Sequence, residues 1–335
     1  MRYIGNKTKL LRFIGGVLRR RGIRGGVAVD PFSGTASVAR ELKRLGFRVI
    51  AADLMEYAHV LAKAYVEATS VSESLRDRIS GLNALPPAPG FLTEHFSAPA
   101  RMYFTPANAG RIDAMRAQIR AWHVTGDIVE IENYLLLAAL IEASDRVANT
   151  TGVYAAFVKT WQPNARRALE LRVPDIVTGN GCYAQRADAL ALVSQLDEFE
   201  LLYLDPPYNS RQYAGYYHVP ELLALGWFGE PPELRGKTGL LPDREKRSDW
   251  SRRAKCEGAL ESLVASARCK HIVMSYNAEG ILSESAIERI LKAYGRRDTY
   301  QKYVRPYRRY RSDANGENRR YISDRVEEYL YCVSR

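Results

Sequence analysis

Short apolar runs that stop on an acid are the plainest pattern in this chain. Val27-Ala28-Val29 stops on Asp30, Val49-Ile50-Ala51-Ala52 on Asp53, and Leu201-Leu202-Tyr203-Leu204 on Asp205. Runs of this length, bounded by turn residues, predict strands buried on both faces. The first two strands are expected over 26–30 and 47–52, and 36–45 between them carries apolar residues at helical spacing. Residues 8–21 show the same spacing and stop at Gly22. Strand, helix and strand in that order make a βαβ unit, which predicts a parallel sheet with its ligand at the carboxyl ends of the strands.

The alternation then breaks. Residues 56–84 read as helical, 85–100 are rich in Pro and Gly, and 106–146 are mostly helical again. A polar and aromatic segment follows over 149–172, with Gly152, Tyr154, Lys159 and Trp161. Strand patterns resume near Ile176, at Leu201, over 271–275 and over 327–333, with Asp313-Ala314-Asn315-Gly316 as a hairpin turn before the last. The expected organisation is an α/β domain formed by 1–74 and 176–335, interrupted by a mainly helical insertion over 75–175. One continuous fold with a helical excursion is the alternative.

Charge adds a partner to this picture. The formal net charge is +11, which points to a polyanion, nucleic acid first. Tyrosine, with 21 copies, is interleaved with arginine over 296–311, where Arg305, Arg308 and Arg309 are expected to face phosphate. Part of that run must be ordinary strand surface. The stretch 229–255, with Arg244, Lys246, Arg247, Arg252 and Arg253, reads as a basic loop, and a plain solvated charge run is the competing view. Four scattered cysteines and five histidines lack metal-ligand spacing, which argues against structural zinc and a disulfide framework. Neither a signal-peptide pattern nor an apolar run of about eighteen residues is present, so a soluble, intracellular protein without a membrane partner is expected.

Two motifs carry chemistry. In Asp205-Pro206-Pro207-Tyr208 a buried strand runs into a rigid turn with one carboxylate, one carbonyl and one aromatic face. Such a turn can accept both hydrogens of an exocyclic amine on a flat heterocycle and stack on its ring. An ordinary surface turn is the bland reading. Pro31-Phe32-Ser33-Gly34-Thr35 follows the first strand and opens a helix, where a glycine lets backbone approach a ligand. Asp53 follows about 20 residues later, the spacing at which an acid reaches a ribose diol; its bland reading is a helix N-cap. Together they suggest a nucleoside without pyrophosphate, and S-adenosylmethionine fits that description.

With Arg2-Tyr3-Ile4-Gly5-Asn6-Lys7 before them, these motifs resemble, in this order, the amino-directed DNA methyltransferases of the adenine methylase group. The resemblance implies a Rossmann-like S-adenosylmethionine-dependent methyltransferase sheet, with 75–175 as an inserted target-recognition domain. It implies cofactor contacts from Tyr3, Gly5, Asn6 and Lys7 at the methionine end, with Lys7 suited to the carboxylate. Pro31, Phe32, Ser33, Gly34 and Thr35 match the first cofactor motif and Asp53 the ribose-binding acid. In Ala187-Asp188-Ala189, Asp188 and Ala189 fall where the family meets the cofactor's adenine. Asp205, Pro206, Pro207 and Tyr208 match the catalytic motif, and Gly152-Val153-Tyr154-Ala155-Ala156-Phe157 a pocket-side loop.

The implied reaction is methyl transfer to adenine N6 in double-stranded DNA. Asp205 and the Pro206 carbonyl would accept the two amino hydrogens, and Tyr208 would stack on a base flipped from the duplex. Arg211 is a phosphate contact or a solvated loop arginine, Lys159 a nucleic-acid contact, and Tyr276-Asn277 a pocket wall or core packing. Methylation at cytosine N4, an RNA adenine substrate, and a non-catalytic nucleic-acid binder on the same scaffold are the competing functions. The implied setting is the prokaryotic cytoplasm, at the nucleoid through DNA, in a restriction–modification system with a cognate endonuclease.

Overall fold

Three of the apolar runs become adjacent central strands because each is covered on both faces. A computed structural model describes residues 1–242, 248–308 and 325–335. The chain divides into two compact units: Met1–Asn6, Met55–Thr178 and Tyr213–Lys246 form one, and Lys7–Leu54, Gly179–Gln212 and Arg247–Arg335 the other.

The second unit holds a seven-stranded sheet. Its strands are β1 (Val27–Asp30), β2 (Arg48–Asp53), β3 (Tyr183–Arg186), β4 (Phe199–Leu204), β5 (Cys269–Asn277), β6 (Gln301–Arg308) and β7 (Arg325–Ser334), in the order β3-β2-β1-β4-β5-β7-β6. β1 to β5 pair in parallel, whereas β7 runs antiparallel to both β5 and β6. Helices Ala189–Gln195, Cys256–Ser266 and Glu284–Tyr294 bury Leu192, Leu260, Leu263, Ile287 and Ile290 in one core with Val29, Leu202, Ile272 and Val333. In helix Leu11–Arg20 the buried residues Ile14, Val17 and Leu18 repeat at i, i+3 and i+4, and in Ser37–Arg44 Leu42 follows the buried Val38 and Ala39 by four and three positions.

The sheet departs from expectation at one edge. No strand forms near Ile176; the place beside β2 is taken by Tyr183–Arg186, with Ile50 opposite Tyr183 and Asp53 opposite Arg186. Pro174 breaks the earlier segment, while an edge strand needs few apolar residues and so leaves a weak sequence signal. The proposed hairpin turn at Asp313-Ala314-Asn315-Gly316 lies outside the described residues.

The first unit is helical and more extensive than the expected insertion. Its start at Met55 precedes residue 75, and it includes Met1–Asn6 and Tyr213–Lys246. The expected helix over 56–84 is broken into Glu56–Ala62, a wider turn at Lys63–Glu67, and Glu73–Ala84. Ser72 starts the last piece by accepting the Leu75 N–H at 3.1 Å, a local hydrogen bond that competes with helix continuation. Helix Pro106–Thr125 has Thr105 as its cap and stops at left-handed Gly126. Buried acids cap helices here too. Glu221 accepts from the N–H groups of Glu56 and Tyr57, and Asp113 from those of Gly90, Leu92 and Thr93.

Candidate active site

The strand order turns around at β1, whose neighbours are β2 on one side and β4 on the other. Loops leaving β1 and β4 therefore diverge at their carboxyl ends, where open α/β sheets take ligands. Both chemical motifs of the sequence emerge there.

After β1 the chain passes through Pro31-Phe32-Ser33-Gly34-Thr35 in a tight turn. Ser33 N–H donates to Ala52 C=O at 2.9 Å, and Gly34 N–H to Asp53 Oδ2 at 3.0 Å. Gly34 (φ 50°) and Ala36 (φ 56°) are left-handed, a strained state for alanine that local contacts must hold. Ser33 Oγ is buried with no hydrogen-bond partner among the described residues. Phe32 meets Trp250 edge-on at 4.8 Å. Asp53 thus ties the end of β2 to the loop after β1. The N-cap role falls to Asp188, whose Oδ1 accepts from Leu190 and Ala191 at 2.9 and 3.1 Å, with Ala189 buried behind it.

After β4 comes the second motif. Lys7 is 2% exposed at its side chain, and its Nζ lies 3.2 Å from Asp205 Oδ1 and 3.2 Å from Glu328 Oε2. Nζ also donates to Tyr208 Oη at 2.9 Å. The contact to Asp205 is an ion pair, and Oδ1 itself is buried. Burial raises the Asp205 pKa to about 7, against the opposing charge of Lys7 and with help from Glu328. Burial disfavours the charge on Lys7, yet Asp205 and Glu328 together hold its pKa above the usual lysine value. Asp30, at the end of β1, is pushed well above the usual carboxylate range by burial and by Asp205.

Pro206 is buried and Pro207 half-buried. The Tyr208 ring sits edge-on to Tyr276 at 5.7 Å, and its carbonyl accepts from Ile281 N–H at 3.0 Å. Tyr276 is 1% exposed and its Oη accepts from Leu282 N–H, so it packs in the core behind Tyr208. Gln212 brackets Ser248 with two hydrogen bonds, at 3.1 and 2.8 Å, anchoring the chain that leaves the motif beside Trp250.

Lys7, Asp205 and Tyr208 therefore meet, as do the 31–35 turn and Asp53. Lys7 was expected to suit the cofactor's carboxylate; its ammonium is engaged by Asp205, Glu328 and Tyr208. Tyr3, Gly5 and Asn6 belong to the first unit. There Asn6 N–H closes a turn onto Tyr3 C=O with Gly5 at φ 80°, and the Tyr3 ring stacks on Tyr217 at 4.6 Å. Lys159, Arg211 and Arg305 are exposed, Arg308 closes β6, and Arg309 lies outside the described residues. So do Arg244, Lys246 and Arg247, whereas Arg252 and Lys255 pair with Asp249 at 3.2 Å.

Glu328 and Asp30 were not foreseen as site residues. Glu328 had a signal: it lies in phase with the buried Leu330 and Cys332, an acid on an inward strand face. Among the described residues no group of His, Cys, Asp and Glu is arranged to hold a metal, and no helix is long and apolar enough to cross a membrane.

A mostly parallel seven-stranded sheet with an antiparallel β7, a nucleoside-type loop after β1 and an Asp-Pro-Pro-Tyr turn after β4 define a Rossmann-like methyltransferase. The chain belongs to the D12 class N6 adenine-specific DNA methyltransferases, whose family model matches residues 3–290. It is 34% identical to the type II methyltransferase M.NlaIII of Neisseria lactamica, covering 100% of this chain and 99% of that protein. It is also 35% identical to the type II methyltransferase M.FokI of Planomicrobium okeanokoites and 32% to the modification methylase StsI of Streptococcus sanguinis. In both cases all of this chain matches 53% and 52% of the relative, so it spans about half their length.

Proposed function

We propose that this protein methylates N6 of adenine within a short sequence of duplex DNA, using S-adenosylmethionine. The observation that carries the reading is the Asp205 carboxylate at the carboxyl end of β4, partly exposed and beside a buried ammonium. Membership of the D12 class supports the base and the polymer.

The chain's residues fit the cofactor. Ser33 Oγ is buried and unpartnered among the described residues, and the Gly34 backbone carries no side chain to obstruct approach. The carboxyls Asp53, Asp205 and Glu328 set against Lys7 favour a cationic ligand. Residues 31–35, Asp53 and Asp188 would hold the nucleoside part. S-adenosylmethionine, when bound, supplies a methyl group on positively charged sulfur.

The Asp205 carboxylate accepts one amino hydrogen of adenine and the Pro206 carbonyl the other. That pair of fixed acceptors localises the nitrogen lone pair, otherwise spread into the ring, and orients it for transfer. Tyr208 offers a face to the flipped base and offsets part of the unstacking cost of a few kcal/mol. Lys159, Arg211, Arg305, Arg308 and Arg309 contribute phosphate contacts, and the helical unit reads the sequence. The names of the type II relatives support a restriction–modification setting with a cognate endonuclease, acting on DNA in the cytoplasm.

Incubation with tritiated S-adenosylmethionine and unmethylated DNA, followed by nucleoside analysis, tests the reading. Label is expected in N6-methyldeoxyadenosine; label in N4-methyldeoxycytidine, or in RNA alone, would overturn it. Asp205→Ala should lose at least ~100-fold in kcat while still binding the cofactor.

A further inference from the structure

The segment after helix His218–Leu225 holds a short turn that the proposed chemistry leaves unused. Arg235 and Leu240 bridge antiparallel through two hydrogen bonds of 2.8 Å, and Gly236-Lys237-Thr238-Gly239 closes the loop between them. Gly236 (φ 67°) and Gly239 (φ 71°) are both left-handed, as a reversal this tight requires. Three successive carbonyls of the turn accept from side chains outside it. Arg101 donates from Nη2 to Gly236 at 3.4 Å and from Nε to Lys237 at 3.2 Å, and His218 from Nε2 to Thr238 at 2.9 Å. Both donors are themselves anchored. Arg101 Nη1 donates to His95 C=O at 2.8 Å with its guanidinium over the Phe96 ring, and His218 is 1% exposed and edge-on to Tyr103. All of these residues belong to the helical unit.

The need to satisfy buried carbonyls does not account for this arrangement. Gly236 and Lys237 are exposed, so water can serve their carbonyls equally well. What the contacts add is a fixed backbone at an exposed position, which spares the cost of ordering the turn when a ligand arrives. Lys237 stands at the tip, and its ammonium has no hydrogen-bond or ion-pair partner among the described residues. None of the exposed large apolar side chains falls within 229–242, so this surface suits an anion rather than an apolar protein face.

We propose that Gly236-Lys237-Thr238-Gly239 is a preformed DNA-contacting tip: Arg101 and His218 hold its backbone so that the Lys237 ammonium meets a backbone phosphate of the substrate. The inference rests on the proposed DNA substrate and adds a contact to it. A lysine is a compact charge with three donors, which suits phosphate oxygens and carries no base preference of its own. Arg101 and His218 are positioning residues that act through the turn. Loosening them releases Lys237 without removing its charge, which separates position from charge in a measurement. A merely structural clamp would change the melting temperature and leave the number of phosphate contacts as it was.

The test titrates wild type and variants against a fluorescent, unmethylated duplex of mixed sequence at several salt concentrations. Melting temperature and KM for S-adenosylmethionine are measured on the same samples. Lys237→Ala is expected to weaken binding ~3–10-fold near physiological salt and to make the dependence of log K on log salt shallower by about 1. Its melting temperature should stay within about 2 °C of wild type, since the side chain is exposed, and KM should not move. Lys237→Arg should keep the salt dependence. Arg101→Lys keeps the charge but loses the fork that spans two carbonyls, so it should weaken binding ~3-fold, and Lys237→Ala should cost less in that background than in wild type. Gly239→Ala, which would set a Cβ 3.0 Å from Arg101 Nε, replaces Arg101→Lys if that variant does not fold. An unchanged salt dependence in Lys237→Ala overturns the tip, and additive losses in the double variant overturn the clamp. If wild type binds and methylates DNA while Lys237→Ala keeps the wild-type salt dependence, only this contact falls; a wild type that labels RNA alone overturns the proposed function itself.

Discussion

Replacing Lys7 by methionine removes the buried cation that Asp205 and Glu328 share while nearly conserving volume, so little cavity cost is added. Each carboxylate lies 3.2 Å from Nζ. At an effective dielectric of ~20 each contact is worth about 5 kcal/mol, most of it cancelled by desolvation of the three ions. Breaking the cluster is another matter, because two carboxylates, 16% and 10% exposed, lose their counter-ion. The expected loss is about 3–5 kcal/mol, or a melting temperature lower by on the order of 5–10 °C.

The sign with pH follows from the two pKa values. Lys7, held above 10.5, contributes stability that is fully present below that value and lost only in strong alkali. It therefore adds no slope at neutral pH. Asp205, at about 7 when folded, binds its proton more tightly than in the unfolded chain, so it costs stability as pH rises from its ordinary range towards 7. Lys7→Met pushes Asp205 further up. The deficit against wild type should be largest near pH 8.5, shrink as pH falls through about 7, and level off below pH ~6, where the carboxyl is protonated in both proteins and needs no cation. Thermal denaturation across that range, with kcat measured in parallel, reads both. A deficit under ~2 °C, or one independent of pH, would refute the view of Lys7 as the counter-ion of this cluster.

Further outcomes follow from single contacts. In the wild-type enzyme kcat should fall as pH drops through about 7, because protonated Asp205 is no longer a full acceptor; a flat profile from pH 5.5 to 8.5 would contradict this. Gly280→Ala would set a Cβ 2.0 Å from Tyr276 Cε1, a ring buried in the core, so a loss of ~1–3 kcal/mol in chemical denaturation is expected, with reduced kcat because Ile281 holds the Tyr208 carbonyl. Asp188→Ala should cost ~1 kcal/mol through the lost helix cap, and Asp188→Asn much less. If Asp188 also binds the cofactor's adenine, both variants should raise KM for S-adenosylmethionine; an unchanged KM leaves only the cap.

The apolar runs of β1, β2, β4 and β5 were legible because strands covered on both faces must be apolar throughout, and the terminal acids of the first three mark the ligand side of a parallel sheet. The motif around Asp205 and the loop before Gly34 were legible for the same reason: local backbone chemistry lies within a few residues. β3 was not, since an edge strand buries little, and neither was the break at 68–72, where a serine cap overrides helical periodicity. Only the tertiary structure decided the company of Lys7. Tyr208 lies 201 positions away and Glu328 321, brought to the ammonium by a strand order that sets β7 beside β5. Periodicity carries information over a turn or two of chain, whereas a buried charge selects its partners by which strands the sheet makes neighbours.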